Sequence, residues 1–270
     1  MIIMENYQNS KDNPIVMEIL GIGLVKISQT DIEAKFKVLF QKGIGVPLIQ
    51  NVIELYKKEI VNKKQGNSII PLEKFTLFIH YFENHNQDIL VIIYMEKKDS
   101  SVNFSKLYFL SRKINRKFQL NEPVLQIIED FDNAVEIPKT DGIIAIFIIG
   151  AAGSPYISKI NKDRSEIADH EVHIGGFISA LLSFSNTIIG EETGAKLKEI
   201  NFGNQQFYVI SKSDVIFAFL VENMTSLVQR YMYLLADEFL YQYKDHLRDF
   251  NGDITPFNCF EEKINQYFLI

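Results

Sequence analysis

The feature that most constrains the fold of this 270-residue chain is a series of apolar runs that occurs twice. In each half, two strand-like runs precede one amphipathic helical segment, and three further strand-like runs precede two helical segments. The first series opens at Ile15 and the second at Ile143, and the last strand begins near Asp88 in one and near Asp214 in the other. The sequence therefore predicts two consecutive domains with the same order, β-β-α-β-β-β-α-α.

The strands are predicted from their periodicity. Ala34 and Phe36 alternate with Lys35 and Lys37, as in a strand with one buried and one solvated face. Such a strand suits the edge of a sheet, because lysines that face water discourage pairing with another chain. Other runs, such as 143–149, are apolar throughout, which is typical of fully buried strands. The predicted strands span residues 15–27, 32–40, 68–72, 75–82, 88–95, 143–149, 156–160, 197–202, 206–210 and 215–221.

Each predicted helix carries one apolar stripe. Leu107, Leu110, Ile114 and Phe118 recur at spacings of three and four, so they share one face. Because such a face must be buried against another element, we expect the helices to cover the sheets. The fold class that follows is α/β, in an α+β arrangement of three layers, with a five-stranded and mainly antiparallel sheet in each domain. The predicted helices span residues 47–61, 102–118, 124–131, 174–188 (with Gly190 as its cap), 225–250 and 257–268.

The domain boundaries follow from the repeat. We expect a flexible N-terminus over residues 1–13, a first domain over 14–136, a linker over 137–142 and a second domain over 143–270. The N-terminus lacks the apolar core of a signal peptide. The most apolar run, 142–153, is shorter than the roughly 20 residues that span a bilayer, so a soluble protein without a transmembrane segment is expected.

Composition and charge narrow the classes of function. The net charge of −6 argues against a general nucleic-acid binder, which needs a basic surface to neutralise phosphates. The single cysteine, Cys259, cannot form an internal disulfide, so a reducing compartment and a cytoplasmic location are expected. Because Phe257 and Phe260 flank Cys259, we expect its thiol to be buried and unreactive.

Three segments of the second half resemble longin domains. IIAIFIIGAAGSPYISKI is similar to their opening hairpin, GGFISALLSFSNTIIGEETGAKLKEINFG to their central helix and third strand, and DVIFAFLVE to their last strand before a long helix. This resemblance covers roughly residues 141–270, whereas the first half resembles the longin fold in element order alone. The residue pattern resembles that of archaeal longin-like proteins related to eukaryotic trafficking machinery.

The resemblance implies a docking platform and not an enzyme. Longin and related roadblock domains serve in vesicle trafficking, in adaptor and tethering complexes and in regulators of small Ras-like GTPases. The chain is therefore expected to bind a small GTPase as a guanine-nucleotide exchange factor or other regulator. The alternative is a structural subunit that pairs with other longin or roadblock subunits in a coat, tether or adaptor assembly. A small-molecule sensor or an enzyme that uses the cleft between the domains is the third alternative.

Two groups of residues are candidates for contact with partners. Lys35 and Lys37 lie on the predicted edge strand, and Asn51 and Lys58 lie on the following helix, where their exposure suggests contact with a GTPase. The second group is a basic cluster near a helix end, which suits the helix dipole or, as a site, an acidic partner or anionic lipid in peripheral contact with a membrane. This cluster consists of Arg112, Lys113, Arg116 and Lys117.

Several short motifs resemble ligand sites but have the wrong spacing. GEETGAK (190–196) is one residue short of a phosphate loop and leads from a helix into a strand. His170 and His173 are three positions apart, whereas the zinc-protease helix needs histidines four apart. Residues 249–253 depart from a calcium loop, so a turn is expected there. We therefore expect no catalytic residue, cofactor or metal, although the five histidines leave a triad assembled by folding as an open alternative.

Overall fold

The computed structural model describes residues 17–29, 34–98, 103–150, 152–161, 163, 171–185, 198–202 and 205–270. The chain divides into two compact units, Met1–Pro138 and Lys139–Ile270. This division falls inside residues 137–142, where the sequence predicts a linker.

Unit 1 is built on a five-stranded antiparallel sheet. The described strands of unit 1 are β1 (Met17–Glu18), β2 (Gly21–Gln29), β3 (Ala34–Lys42), β4 (Gln65–Pro71), β5 (Phe75–Glu83), β6 (Ile89–Lys97) and β7 (Val135–Glu136). The sheet has the order β3-β2-β6-β5-β4, so β3 and β4 are its terminal strands. A separate parallel pair joins β1 to β7. The predicted edge position of the strand that carries Lys35 and Lys37 is thus confirmed.

Helix α1 (Val46–Lys63) covers one face of this sheet. Its Ile49 and Ile53 belong to the same buried cluster as Leu77 of β5 and Ile93 of β6. Pro47 lies in the first turn of α1, where the missing backbone N–H costs no hydrogen bond. This packing follows from the sequence, since the apolar stripe of α1 can be buried only against an apolar sheet face.

Helices α2 (Phe104–Gln119) and α3 (Val124–Asn133) cover the opposite face of the sheet. Phe118 of α2 meets Phe82 of β5 edge-on, with ring centroids 6.0 Å apart. Phe131 of α3 meets Phe40 of β3 in the same way at 6.1 Å. Because Phe82 alternates with the α1-facing side chains of its strand, α2 lies on the other side from α1, and unit 1 has three layers.

Two predicted boundaries in unit 1 are wrong. The strand predicted over 15–27 is interrupted at Ile19, whose N–H donates to the carbonyl oxygen of Glu136 (3.0 Å) before β2 begins. The strand predicted over 68–72 begins earlier, at Gln65. The reason is Lys64, which takes a φ of 63° and ends α1 by donating its N–H to the carbonyl of Ile60, so that the chain enters β4 at once.

Unit 2 is also built on a five-stranded antiparallel sheet. Its strands are β8 (Ile143–Gly150), β9 (Pro155–Ile160), β10 (Glu199–Phe202), β11 (Gln205–Lys212) and β12 (Val215–Val221). Their order is β10-β11-β12-β8-β9. Positive φ at Ser213 and Asp214 (48° and 61°) gives the tight turn that joins β11 to β12. A mixed α/β protein with two five-stranded antiparallel sheets, as predicted, is therefore confirmed.

Helices lie on both faces of this second sheet. They are α4 (Glu171–Ser185), α5 (Ser226–Gln242), α6 (Lys244–Arg248), a 3-10 helix (Thr255–Phe260) and α7 (Glu261–Tyr267). Ile178 of α4 is buried in one cluster with Phe147 of β8. On the other face, Phe239 of α5 packs edge-on against Phe217 of β12 (5.7 Å between centroids) and against Phe260 (5.1 Å).

The single long helix predicted over 225–250 is wrong, because the chain forms α5 and α6 with a break at Tyr243. Tyr243 leaves the helical conformation (φ −108°, ψ 17°) and buries its ring against Phe257, at 5.0 Å between centroids. Burial of this aromatic ring compensates for the interrupted helix.

Gly190, the motif at 190–196 and His170 lie outside the described residues. Within the described part of the chain, no helix is both long enough and apolar enough to cross a bilayer.

Candidate interaction surfaces

Helix α2 is fastened to the sheet by a buried polar contact. Ser111 Oγ lies 2.8 Å from Nδ1 of His80 on β5 and 2.9 Å from the hydroxyl of Tyr94 on β6. Burial lowers the pKa of His80. Burial also raises the pKa of Tyr94, and the hydrogen bond with Ser111 opposes that shift. Because these hydrogen bonds join one position of α2 to two strands, they fix which side of the helix points away from the sheet.

The contact between Ser111 and His80 places a nucleophile type beside a base, the pairing that serine hydrolases use. A serine nucleophile must reach its substrate, but Ser111 is only 5% exposed and lies on the side of α2 that faces the sheet. The hydroxyl of Ser111 also contacts the phenol of Tyr94. In a catalytic triad, the serine hydroxyl faces the substrate instead. The geometry therefore supports a fastening role for Ser111.

The exposed surface of α2 carries aromatic and basic side chains, which we call the basic-aromatic face. One row holds Phe104, Tyr108 and Arg112 at intervals of four, and the guanidinium of Arg112 lies 5.9 Å from the ring centre of Tyr108. This row borders the sheet, since Phe104 and Tyr108 lie edge-on to Phe78 and His80 of β5, at 5.1 Å and 6.2 Å between centroids. A second row begins with Phe109, which is 60% exposed, and continues with Lys113 and Arg116. All six side chains are exposed. The basic-aromatic face consists of Phe104, Tyr108, Phe109, Arg112, Lys113 and Arg116.

Lys117, the fourth residue of the predicted basic cluster, is placed differently from the other three. Its ammonium forms ion pairs with Glu122 (3.0 Å) and with Asp130 of α3. The hydrogen bonds that this ammonium donates to the two carboxylates, that to Asp130 first, raise the pKa of Lys117. The structure therefore leaves Arg112, Lys113 and Arg116 on the exposed surface, whereas the charge of Lys117 is compensated within the unit.

The turn after α2 adds apolar surface to the same region. Asn121 has a φ of 55°, and its N–H donates to the carbonyl of Phe118, while the N–H of Glu122 donates to the carbonyl of Lys117. This Schellman-type ending satisfies the last carbonyls of the helix. It leaves Leu120 and Leu125 exposed on either side of the turn, at 65% and 74%.

The predicted partner-binding residues of β3 and α1 do not lie on one face. Phe36 of β3 packs into the cluster beneath α1, so its neighbours Lys35 and Lys37 point to the other side of the sheet. Asn51 and Lys58 lie on the outer side of α1. The structure therefore brings Asn51 and Lys58 together on one helix, and it separates them from Lys35 and Lys37 by the thickness of the sheet.

Sequence reasoning missed one residue on the outer side of α1. Leu55 is 79% exposed and lies between Asn51, four residues before it, and Lys58, three residues after it. These spacings put the three side chains on one stripe of the helix. The sequence does carry a signal for this, since Leu55 falls outside the apolar stripe that contains Ile49, Ile53 and Ile60.

Two further predictions concern Cys259 and the chain after α6. Cys259 is exposed, so the expectation of a buried thiol is wrong. The reason is the 3-10 helix, which turns Phe257 and Phe260 inward and Cys259 outward, where its sulfur lies 3.1 Å from the hydroxyl of Tyr243.

The predicted turn at 249–253 is confirmed, and the N–H of Asp253 donates to the side-chain oxygen of Asn251. Among the described residues, no cluster of three His, Cys, Asp or Glu side chains could hold a metal ion.

Comparison with known proteins gives similarity to solved structures. No protein-family model and no curated protein matches the chain. A solved structure of the Roadblock/LC7 domain from Streptomyces avermitilis is similar to 38% of this chain and to 85% of that chain, with 14% sequence identity and a TM-score of 0.30. A likeness at this level does not assign the chain to a family.

Proposed function

We propose that this chain is a non-catalytic interaction platform made of two longin-like domains, and that it binds a small Ras-like GTPase as an exchange factor or other regulator of its nucleotide state. The order of elements supports the longin-like part of this proposal, since β2, β3, α1, β4, β5, β6, α2 and α3 follow one another as β-β-α-β-β-β-α-α. The sequence resemblance of residues 141–270 to longin domains supports it for unit 2. The GTPase is proposed because regulators of small GTPases are among the proteins with this domain type.

The observation that carries the proposal is the exposed stripe of α1 formed by Asn51, Leu55 and Lys58. Leu55 supplies an apolar contact at its centre, and the amide of Asn51 and the ammonium of Lys58 supply polar contacts on either side. An apolar centre with a polar rim is the usual composition of a protein interface. The stripe lies on a helix packed firmly by Ile49 and Ile53, so a partner meets a rigid surface.

The terminal strand β3 offers a second mode of contact in unit 1. A terminal strand presents backbone N–H and C=O groups that a partner strand can pair with by β-augmentation. Lys35 and Lys37 project from β3 into solvent, so a partner strand with acidic side chains would be favoured there. A GTPase that pairs with β3 would contact Lys35 and Lys37, whereas one that docks on α1 would contact Leu55.

The test is a pull-down with the full chain as bait from an extract of its own cell type, repeated with excess GDP, excess GTP analogue and EDTA. We expect a small Ras-like GTPase to be enriched when EDTA strips its nucleotide, as exchange factors bind the nucleotide-free state most tightly. The purified GTPase is then loaded with a fluorescent GDP analogue, and the chain is expected to speed its release. Retention of the same proteins in all three conditions would instead support a structural subunit.

Variants identify the contact. Leu55→Ser with Lys58→Glu is expected to abolish GTPase binding, because it removes the apolar centre and reverses the charge beside it. The matched control is Tyr241→Ser with Lys244→Glu, which makes the same kind of change at two exposed residues of unit 2. If both pairs bind the GTPase like the unaltered chain, α1 is not the contact, and Lys35→Glu with Lys37→Glu tests β3.

The alternative function, a structural subunit of a coat, tether or adaptor assembly, is favoured by one observation in unit 2. Phe177 and Phe184 lie seven residues apart on α4 and are both exposed, at 46% and 64%. Two large aromatic side chains on one side of a helix suit burial against another longin or roadblock subunit. If this is the function, Phe177→Ser with Phe184→Ser abolishes a complex that persists in every nucleotide condition.

The location proposed for this function is the cytoplasm, where small GTPases and trafficking assemblies meet membranes. The chain contains one cysteine, which suits a reducing compartment.

A further inference from the structure

We propose that the basic-aromatic face of α2 docks on an anionic membrane surface. This face is distinct from the α1 stripe, since α1 and α2 cover opposite faces of the sheet of unit 1. The proposal therefore goes beyond GTPase binding and does not rest on it.

The first argument is charge. The segment Phe104–Gln119 contains five lysines and arginines and no aspartate or glutamate, although the chain as a whole has a net charge of −6. Lys117 is paired with Glu122 and Asp130, but Lys106, Arg112, Lys113 and Arg116 are exposed. A helix that carries only positive charge in an acidic protein is electrostatically complementary to an anionic surface.

The second argument is the arrangement of the aromatic rings. Phe109 lies one turn from Lys113 and two turns from Arg116, and Tyr108 lies one turn from Arg112. Exposing a phenylalanine ring to water is unfavourable in free energy, whereas the headgroup region of a bilayer accommodates aromatic rings beside lysine and arginine. Leu120 and Leu125 continue the apolar contact beyond the end of the helix.

The third argument is orientation. The contacts of Ser111 with His80 and Tyr94 fix the rotation of α2 about its axis. The two exposed rows run along a 16-residue helix, which is about 24 Å long at 1.5 Å per residue. A rigid helix that exposes one side over its whole length can lie flat on a surface, as interfacial helices do.

These observations favour a membrane over an acidic protein. A protein that binds this face would need a groove for exposed apolar side chains that are spread over two helical rows and a turn, together with carboxylates beside each cation. A membrane meets both needs without a shaped groove, because its headgroups and acyl chains adapt to the side chains.

The experiment is flotation of the full chain with vesicles of phosphatidylcholine alone and of phosphatidylcholine mixed with phosphatidylserine. Binding is expected on the mixed vesicles and is expected to weaken as salt is raised, because salt screens the attraction. Arg112→Gln, Lys113→Gln and Arg116→Gln together are expected to lower the partition coefficient about a hundredfold, at about fivefold per cation. Phe109→Ser is expected to weaken binding at high salt as well, since its contribution is apolar.

Matched controls separate this surface from charge and exposure in general. Lys58→Gln, Lys63→Gln and Lys64→Gln together remove the same charge from exposed positions of α1 and at its end, and vesicle binding is expected to be retained. Leu55→Ser is the control for Phe109→Ser, because Leu55 is an exposed apolar residue on the opposite layer. Circular dichroism establishes that each variant is folded.

Three results would overturn the proposal. The first is equal binding to vesicles with and without phosphatidylserine, and the second is equal loss of binding in the α2 and α1 triple variants. The third is no binding to either vesicle type. If the α2 triple variant also loses an acidic protein partner, that protein is the occupant. Because the α2 variants leave the α1 stripe intact, these results are read independently of any GTPase measurement.

Discussion

Nδ1 of His80 on β5 and Oγ of Ser111 on α2 lie 2.8 Å apart at the junction between the sheet and the helix of unit 1. The same Ser111 oxygen is 2.9 Å from the hydroxyl of Tyr94, which is buried. One hydroxyl of α2 thus makes hydrogen bonds with side chains of two different strands, β5 and β6. The basic-aromatic face depends on this junction, because it sets the rotation of α2.

Ser111→Ala is expected to lower the free energy of unfolding by about 1–3 kcal/mol, because it leaves a buried phenol and an imidazole nitrogen without their hydrogen-bond partner. Ser105→Ala is the matched control, since Ser105 is exposed on the same helix and gains the same helix propensity. Urea denaturation of both variants measures the difference. Equal stabilities would mean that the hydroxyl of Ser111 contributes nothing to the docking of α2.

His80 is expected to make the stability of unit 1 depend on pH. Burial lowers the pKa of folded His80 below the ordinary value of 6.5, so the unfolded chain takes up a proton at a higher pH than the folded chain. The contribution is fully present above pH 6.5 and is lost as the pH falls from 6.5 through the folded pKa. Urea denaturation over this range is expected to show the loss in the unaltered protein and a smaller loss in His80→Asn.

The control for the pH measurement is His85→Asn. His85 lies in the turn between β5 and β6 and is exposed, so this variant makes the same substitution without altering the contact of His80 with Ser111. A pH dependence that survives in His80→Asn would assign it to other groups.

Gly21→Ala is expected to be destabilising, by about 1–3 kcal/mol, because the structure has no room for a methyl group there. A Cβ at this position would lie 2.6 Å from the carbonyl oxygen of Gly43, a backbone atom that cannot rotate away. Gly176→Ala on α4 is the contrasting change, since nothing lies within 4 Å of its Cβ position. It is expected to be stabilising by about 0.5–1 kcal/mol, because alanine is the better helix former. Thermal denaturation should show shifts of opposite sign.

Cys259 is expected to react with Ellman's reagent in the folded protein, because its side chain is exposed. One equivalent of thionitrobenzoate per chain should be released from the reagent without denaturant. None should be released with Cys259→Ser, since the chain has a single cysteine. A thiol that reacts only after unfolding would contradict the exposed position. The position also offers a single site for a fluorescent label.

Much of the fold was predictable because hydrophobic periodicity is a local property. The stripe of Leu107, Leu110, Ile114 and Phe118 was predicted and all four are buried. Boundaries were less predictable where they depend on distant backbone. The end of α1 at Lys64 is such a case, and so is the interruption at Ile19, which pairs with Glu136 from the far end of unit 1.

The candidate surfaces were predictable only in part. The sequence placed Arg112, Lys113 and Arg116 together because they share one helix. It could not show that Lys117 is paired, since Asp130 belongs to another helix and meets it only through the turn between α2 and α3. It also did not assign Phe109 or Leu55 to a surface. A position outside the apolar stripe of a helix indicates exposure, but it does not indicate which other side chains share that surface.

The sequence by itself determined that this chain forms two mixed α/β units, each with a five-stranded antiparallel sheet, because alternation and helical spacing are fixed by the backbone geometry of strands and helices. Only the tertiary structure decided which side chains share a surface. Lys35 and Lys58 are separated because α1 crosses to one face of the sheet, and Phe109 and Arg116 are exposed together because Ser111 anchors the other side of α2. These outcomes depend on contacts between residues far apart in the chain, which no local pattern encodes.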